Sequence, residues 1–252
     1  MTKTVFDHVS IGTRELADGW ELFGGVLGGT WAYGGDSPGF WWGQLEFRGG
    51  PKIELITPTP GPDSAFLERF LDDRGPGPHH LNFMVSDIAE TLGRIEALGI
   101  EPVQVRLDEP NWKEAFLRPR DAFGIVIQVA EQSGQPPELP PPDALCPARL
   151  PSSFTVVEHY VSDLDAAIRL FGSVLGGEVS TRPETSRSGA ELTWPNGARL
   201  RLIAGGEPSH GNAGGAAGPL RFGRDGEPFS PAELSRVAGL SRLLGVRIEL
   251  DS

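Results

Sequence analysis

Four side chains in the first half of the chain carry the chemistry that can be read from sequence: His8, Glu54, His80 and Gln128. Each lies in a short run of strand character, VFDHVSI, PKIELIT, HHLNFMV and GIVIQVA. Two imidazoles, a carboxylate and an amide oxygen would fill most of the coordination sphere of a divalent cation. Such sets with open positions suit Zn, Fe, Mn, Co or Ni. Alternate residues of a strand share a face. His8 therefore groups with Phe6 and Ser10, against Val5, Asp7 and Val9. Glu54 groups with Lys52 and Ile56, His80 with Asn82 and Met84, and Gln128 with Val126 and Ala130. If those faces line one cup, a cation would satisfy four buried polar groups at once. A lone strand histidine is more often a hydrogen-bonded structural group, so the joint set carries the reading. His79 competes with His80, and alternation lets only one of them face the cup.

The elements that must position these residues follow from periodicity. A strand over 4–11 leads to a helix over 14–27 and strands over 29–33, 40–47 and 52–57. A second round follows: strand 80–86, helix 87–98, and strands near 101–107, 114–118 and 124–130. The second helix rests on the spacing of Ile88, Leu92, Ile95 and Leu98, with Asp87 as N-cap and Gly99 as stop. Each round reads β-α-β-β-β. Trp41 and Trp42 must face opposite sides of their strand. One packs under the helices and the other could line the cup with Phe40 or Gln44, core packing being the commoner role for each. Ser10, Asn82, Met84 and Trp42 are the expected pocket lining, and Glu54 the expected catalytic group.

The chain repeats itself. LFGGVLGG (22–29) recurs as LFGSVLGG (170–177), and KIELIT (52–57) is matched by RLRLIA (199–204). Between the copies, residues 132–151 hold seven prolines and read as an extended linker. The expected organisation is a complete module over 1–131, a Pro-rich linker over 132–151 and a degenerate module over 152–252. The second copy aligns His159 with His8, Arg201 with Glu54 and Pro219 with His80. GVRIELDS aligns with GIEPVQVR, so two strands are missing and Glu249 falls outside the Gln128 place. Arg201 would repel a cation, and no metal is expected there.

Composition bounds the partners. The 252 residues carry a net charge of −12, which disfavours nucleic acid and anionic membrane. Cys146 is the only cysteine, leaving neither a disulfide framework nor a thiolate zinc site. With no apolar leader and no apolar run that would span a bilayer, the expected location is cytoplasmic. Lys113, Arg118 and Arg120 could hold a carboxylate or phosphate, although a solvated surface is their default. The Gly-rich stretches lack a strand–GxGxxG–helix context and read as turns.

The paired β-α-β-β-β modules, IELITP, GPGPHHLNFMVSDI and FLRPRDAFGIVIQVAE resemble the vicinal oxygen chelate superfamily. Within it the chain is most similar to methylmalonyl-CoA epimerases, then to glyoxalase I and extradiol dioxygenases. The resemblance implies an α+β fold of tandem βαβββ modules forming cupped mixed sheets, the second copy truncated. It implies metal ligands at His8, Glu54, His80 and Gln128, a small oxygen-bearing substrate and a homodimer. The implied reaction is isomerisation or epimerisation next to a carbonyl through an enolate, on a substrate such as an acyl-CoA ester. Gln128 stands where epimerases carry a titratable glutamate, and an amide cannot titrate. The alternatives are a non-haem Fe(II) dioxygenase and a ligand-sequestering protein of the bleomycin-resistance type.

Overall fold

The computed structural model describes residues 3–134, 139–143, 145, 148, 150–181, 189–205 and 217–251. Cys146 and part of the Pro-rich segment lie outside them.

Eight strands form the first sheet in the order β2-β3-β4-β1-β5-β8-β7-β6. They are β1 (Thr4–Gly12), β2 (Thr30–Ser37), β3 (Phe40–Glu46), β4 (Lys52–Pro58), β5 (Gly77–Val85), β6 (Val103–Arg106), β7 (Trp112–Leu117) and β8 (Val126–Gln132). The two rounds of β-α-β-β-β meet at β1 and β5, which pair antiparallel, while β1–β4 and β5–β8 pair parallel. Helix α1 (Leu16–Gly19) runs on as a π-helical segment over Trp20–Val26, and α3 (Ile88–Glu96) follows β5. Asp87 caps α3, accepting from the Glu90 N–H at 2.9 Å. Helix α2 (Ala65–Arg74), between β4 and β5, was not expected, although Phe66, Leu67, Phe70 and Leu71 give it an apolar stripe at helical spacing.

The second sheet has six strands, β10-β11-β12-β9-β13-β14. These are β9 (Ser153–Val161), β10 (Glu178–Thr181), β11 (Gly189–Thr193), β12 (Arg199–Ala204), β13 (Ala217–Gly223) and β14 (Ile248–Leu250). Helix α4 (Leu164–Ala167) again continues as a π-helical segment over Ile168–Val174, and α5 (Pro231–Leu243) precedes β14. The LFGxVLGG repeat is the end of this helix in both copies. Gly28 and Gly176 sit at φ 79° and 74°, the left-handed cap position. The next glycine's N–H donates back to a phenylalanine carbonyl, Gly29 to Phe23 at 2.8 Å and Gly177 to Phe171 at 2.9 Å.

One face of each sheet is apolar, and these two faces pack toward one another around the helices. Phe6, Val9, Ile11, Leu55, Leu81 and Phe83 of the first sheet join one core with Phe154, Leu200, Leu202 and Phe222 of the second. Phe83 stacks on Phe6 at 4.9 Å and meets Phe171 at 5.9 Å, and Phe6 meets the Trp194 edge at 5.5 Å. The opposite faces look outward as two separate cups.

Three details correct the sequence reading. A register shift between Phe6 and His8 breaks the alternation in β1, so Phe6 enters the core while His8 stays in the cup. His159 pairs with Leu202, a core residue, and its ring abuts Phe171 at 5.8 Å. It therefore occupies the Ile11 place and faces the helices; the cup residue beside Arg201 is Glu158. Finally, β14 pairs parallel with β13, as β8 does with β5. Its partner register, Arg221 with Glu249, repeats Asn82 with Gln128, so Glu249 does stand at the Gln128 place.

Candidate metal centre

Strand register builds the site. One transverse row of the first cup runs Gln44, Glu54, Ser10 and His80 across β3, β4, β1 and β5. The next row runs Lys52, His8, Asn82 and Gln128 across β4, β1, β5 and β8. Laterally paired side chains stand about 4.5–5.5 Å apart at Cβ, so residues distant in sequence arrive within reach of one point.

His8, Glu54 and His80 meet there, with ligand atoms within 4.8 Å of one another and all three side chains buried. One carboxylate oxygen, Glu54 Oε1, lies 3.5 Å from His8 Nε2 and 3.7 Å from His80 Nε2. Neither Nε2 has a hydrogen-bond partner. Atoms each about 2.0–2.2 Å from one ion lie about 3–3.5 Å from each other, which is close to this spacing. Ser10 Oγ, Gln44 Oε1 and Asn82 Oδ1 are also buried without partners. Such a concentration of orphaned polar atoms is costly in a protein that leaves the cup bare. The donor set therefore fits a divalent cation.

The outer ring nitrogens are fixed from behind. Asp7 Oδ2 accepts from His8 Nδ1 at 2.9 Å, and Lys52 Nζ holds the other Asp7 oxygen at 2.5 Å. This leaves His8 Nε2 toward the cup. His80 Nδ1 contacts His79 Nδ1 at 2.9 Å. His79 itself sits between Phe66 and Phe70 of α2, with ring centroids at 5.9 and 4.8 Å. Burial pulls the His79 pKa down to about 4 and holds His80 well below its usual range, so both are neutral at pH 7. Gln44 Nε2 donates to Glu54 Oε2 at 2.8 Å, leaving Oε1 for the point between the histidines. Burial would raise the Glu54 pKa, but His8, His80 and Gln44 outweigh it and bring it to about 2. Burial likewise disfavours His8 as a cation, and the Glu54 and Asp7 carboxylates raise it to about 9.

Gln128 lies one strand from His80, accepting from Asn82 Nδ2 at 2.8 Å and donating to Glu114 Oε2 at 2.8 Å. Met84 is on the same face one row beyond, beside Ala130. Trp42 stands edge-on to Tyr33 at 6.0 Å and packs with Ile56, Leu67 and Phe40. Trp41 faces the other way, against Trp20 and Trp31. Asp7, Glu114 and the α2 aromatics were not anticipated from sequence. The two carboxylates carry no local signature, and only strand register brings them to the site. Lys113, Arg118 and Arg120 are each paired with a carboxylate, Glu131, Glu101 and Asp121.

The second cup is filled differently. Glu158 takes Arg201 at 3.1 Å and Arg221 at 2.7 Å, and Arg201 also reaches Glu191 at 2.9 Å. Arg221 further pairs with Glu249. Cations and carboxylates neutralise one another where the first cup gathers unpartnered donors.

The chain is similar to several known proteins. The chain is 28% identical over 134 residues to the uncharacterized protein YqjC of Bacillus subtilis (strain 168), spanning 51% of this chain and 92% of that one. Methylmalonyl-CoA epimerase from Mycobacterium tuberculosis is 29% identical, with a TM-score of 0.44 over 51% of this chain and 87% of that one. A variant of 4-hydroxymandelate synthase from Streptomyces coelicolor is 14% identical, with a TM-score of 0.60. It covers 97% of this chain and 75% of its own, a likeness of fold across both sheets. Among the described residues no helix is long and apolar enough to cross a membrane. A family model matches residues 7–135, half of the sequence and all four strands of the candidate centre, so the chain belongs to the glyoxalase/bleomycin resistance protein/dioxygenase superfamily.

Proposed function

We propose that the first cup holds one divalent cation on His8, Glu54, His80 and Gln128, and that the protein isomerises or epimerises a small substrate next to a carbonyl. The observation that carries this reading is the convergence of two orphaned imidazole nitrogens on one carboxylate oxygen in a buried cup. A cation held there would supply positive charge where an enolate oxygen develops. Gln44 and Ser10 offer polar atoms beside it, while Tyr33, Trp42 and Phe40 wall one side of the cup against water. Glu54, the one acidic donor, or a water whose pKa the cation would lower, is the candidate to move the proton.

The count of donors separates this from oxygen chemistry. Two histidines and one carboxylate alone would leave a cation room for a chelating substrate and dioxygen together. A fourth protein donor would leave room for two substrate oxygens only. Gln128 in the donor set therefore favours isomerisation, and the dioxygenase reading stands only if Gln128 does not bind. The sequestering alternative keeps the aromatic wall and needs no cation.

Elemental analysis followed by activity with restored metal tests the choice, using acyl-CoA esters, 2-oxo compounds and catechols. Solvent-deuterium exchange at the α-carbon without oxygen consumption is expected. Oxygen uptake with Fe(II) and a catechol would move the protein to the dioxygenase class. A Glu54→Gln variant with full metal content and full turnover would remove the proton role from Glu54.

A further inference from the structure

Glu114 is a carboxylate inside the cup that the donor set does not use. It lies on β7, one row beyond Phe116, which pairs with Gln128. Its Oε2 accepts from Gln128 Nε2 at 2.8 Å and from Trp112 Nε1 at 3.0 Å, and Arg106 stands 3.3 Å from Oε1. The side chain is 12% exposed.

An ionised carboxylate only accepts hydrogen bonds, whereas a primary amide has a donating end and an accepting end. Whichever end of the Gln128 amide meets Glu114 must be the NH2 group. The amide oxygen is then turned the other way, toward β5, where Asn82 Nδ2 donates to it at 2.8 Å. That oxygen carries two lone pairs, and Asn82 occupies one of them. The second is left free, and His80 is the diagonal neighbour on β5, two residues before Asn82 on the same face.

We propose that Glu114 is a positioning residue: it holds Gln128 with its oxygen toward His80 and so makes an amide the fourth donor of the centre. The inference rests on the reading that the cup binds a divalent cation. It also accounts for glutamine at this place. A glutamate at position 128 would set two carboxylates face to face, with Glu114 unable to donate between them. The pair therefore ties donor count, and with it the preference for isomerisation over oxygen chemistry, to a residue on a strand that supplies no ligand.

The test is a double-mutant cycle on the full chain, with Zn2+ affinity measured by competition calorimetry. The forms are wild type, Glu114→Gln, Gln128→Ala and the double variant. Each single change is expected to weaken binding about tenfold. A residue that acts only through Gln128 adds nothing once that side chain is gone, so the double variant should bind within about threefold of Gln128→Ala. A merely structural role for Glu114 would instead give additive losses, and equal melting temperatures check that the forms are folded. A Glu114→Gln variant that binds like wild type, or a double variant weaker by the product of the two single effects, overturns the proposal alone. Absence of Zn2+ binding in wild type overturns the cation reading and this inference with it.

Discussion

Asp7 and His8 are sequence neighbours whose side chains meet, a carboxylate oxygen 2.9 Å from Nδ1. Strict alternation would have sent them to opposite faces. The register shift between Phe6 and His8 lets Asp7 stand behind the ring and fix which nitrogen faces the cup. Asp7→Ala is expected to lower divalent-cation affinity about 10–100-fold while leaving the circular dichroism of the fold unchanged. Calorimetry with Zn2+ measures it, and an unchanged affinity would remove the orienting role.

Cation binding should strengthen with pH. In the metal-free protein His8 is raised to about 9, so at pH 7 its ring carries a proton that a cation must displace. Glu54, at about 2, is already ionised and releases none. Log affinity should therefore climb by about one for each pH unit between about 7 and 9 and flatten above. For the metal-free fold the raised His8 contributes stability that is complete below about 6.5 and lost as pH rises through 9. Urea melts with a chelator present at pH 6 and pH 10 give the comparison.

The second cup should bind no cation of its own. Glu158 is buried and shared by Arg201 and Arg221. Arg201→Ala is expected to cost about 1–3 kcal/mol of stability, because it leaves buried carboxylates short of a partner, with one metal per chain before and after. Elemental analysis of the variant beside wild type decides the stoichiometry, and denaturant melts decide the cost.

Helix α5 starts with a full capping box. Ser230 Oγ accepts from the Glu233 N–H, and Glu233 accepts from the Ser230 N–H at 2.8 Å. Ser230→Ala should cost about 1 kcal/mol. The Ser230 hydrogen bonds, with Arg224, bring Glu233 down to about 2. Its contribution is present above the unfolded value near 4.5 and fades as pH falls toward 2. The acid limb of the stability curve should flatten in Glu233→Gln, and an unchanged limb would discard the assignment.

Much of this was legible in the residues. Alternation and the repeat located the strands of the first sheet and the helices α1 and α3 to within a few positions but missed α2, and the family spacing pointed to His8, Glu54 and His80, which the structure brings together. Sequence order failed where topology decides. Aligning GVRIELDS with the strand after α3 was natural along the chain, yet hydrogen bonding sets β14 beside β13 and brings Glu249 to the Gln128 place. His159 misled because a matching letter in a matching strand was one face out, where Phe171 receives it. Glu114 was invisible because it gains its meaning only from Gln128 on the next strand.

The sandwiching of Phe83 between Phe6 and Phe171 reaches beyond packing. A molecule whose duplicated halves interlock aromatic to aromatic has no wet seam along which to part. Loss of either copy would strip the other of its inner wall, so melting should proceed as a single cooperative event, and severing the gene between the copies should yield two insoluble fragments.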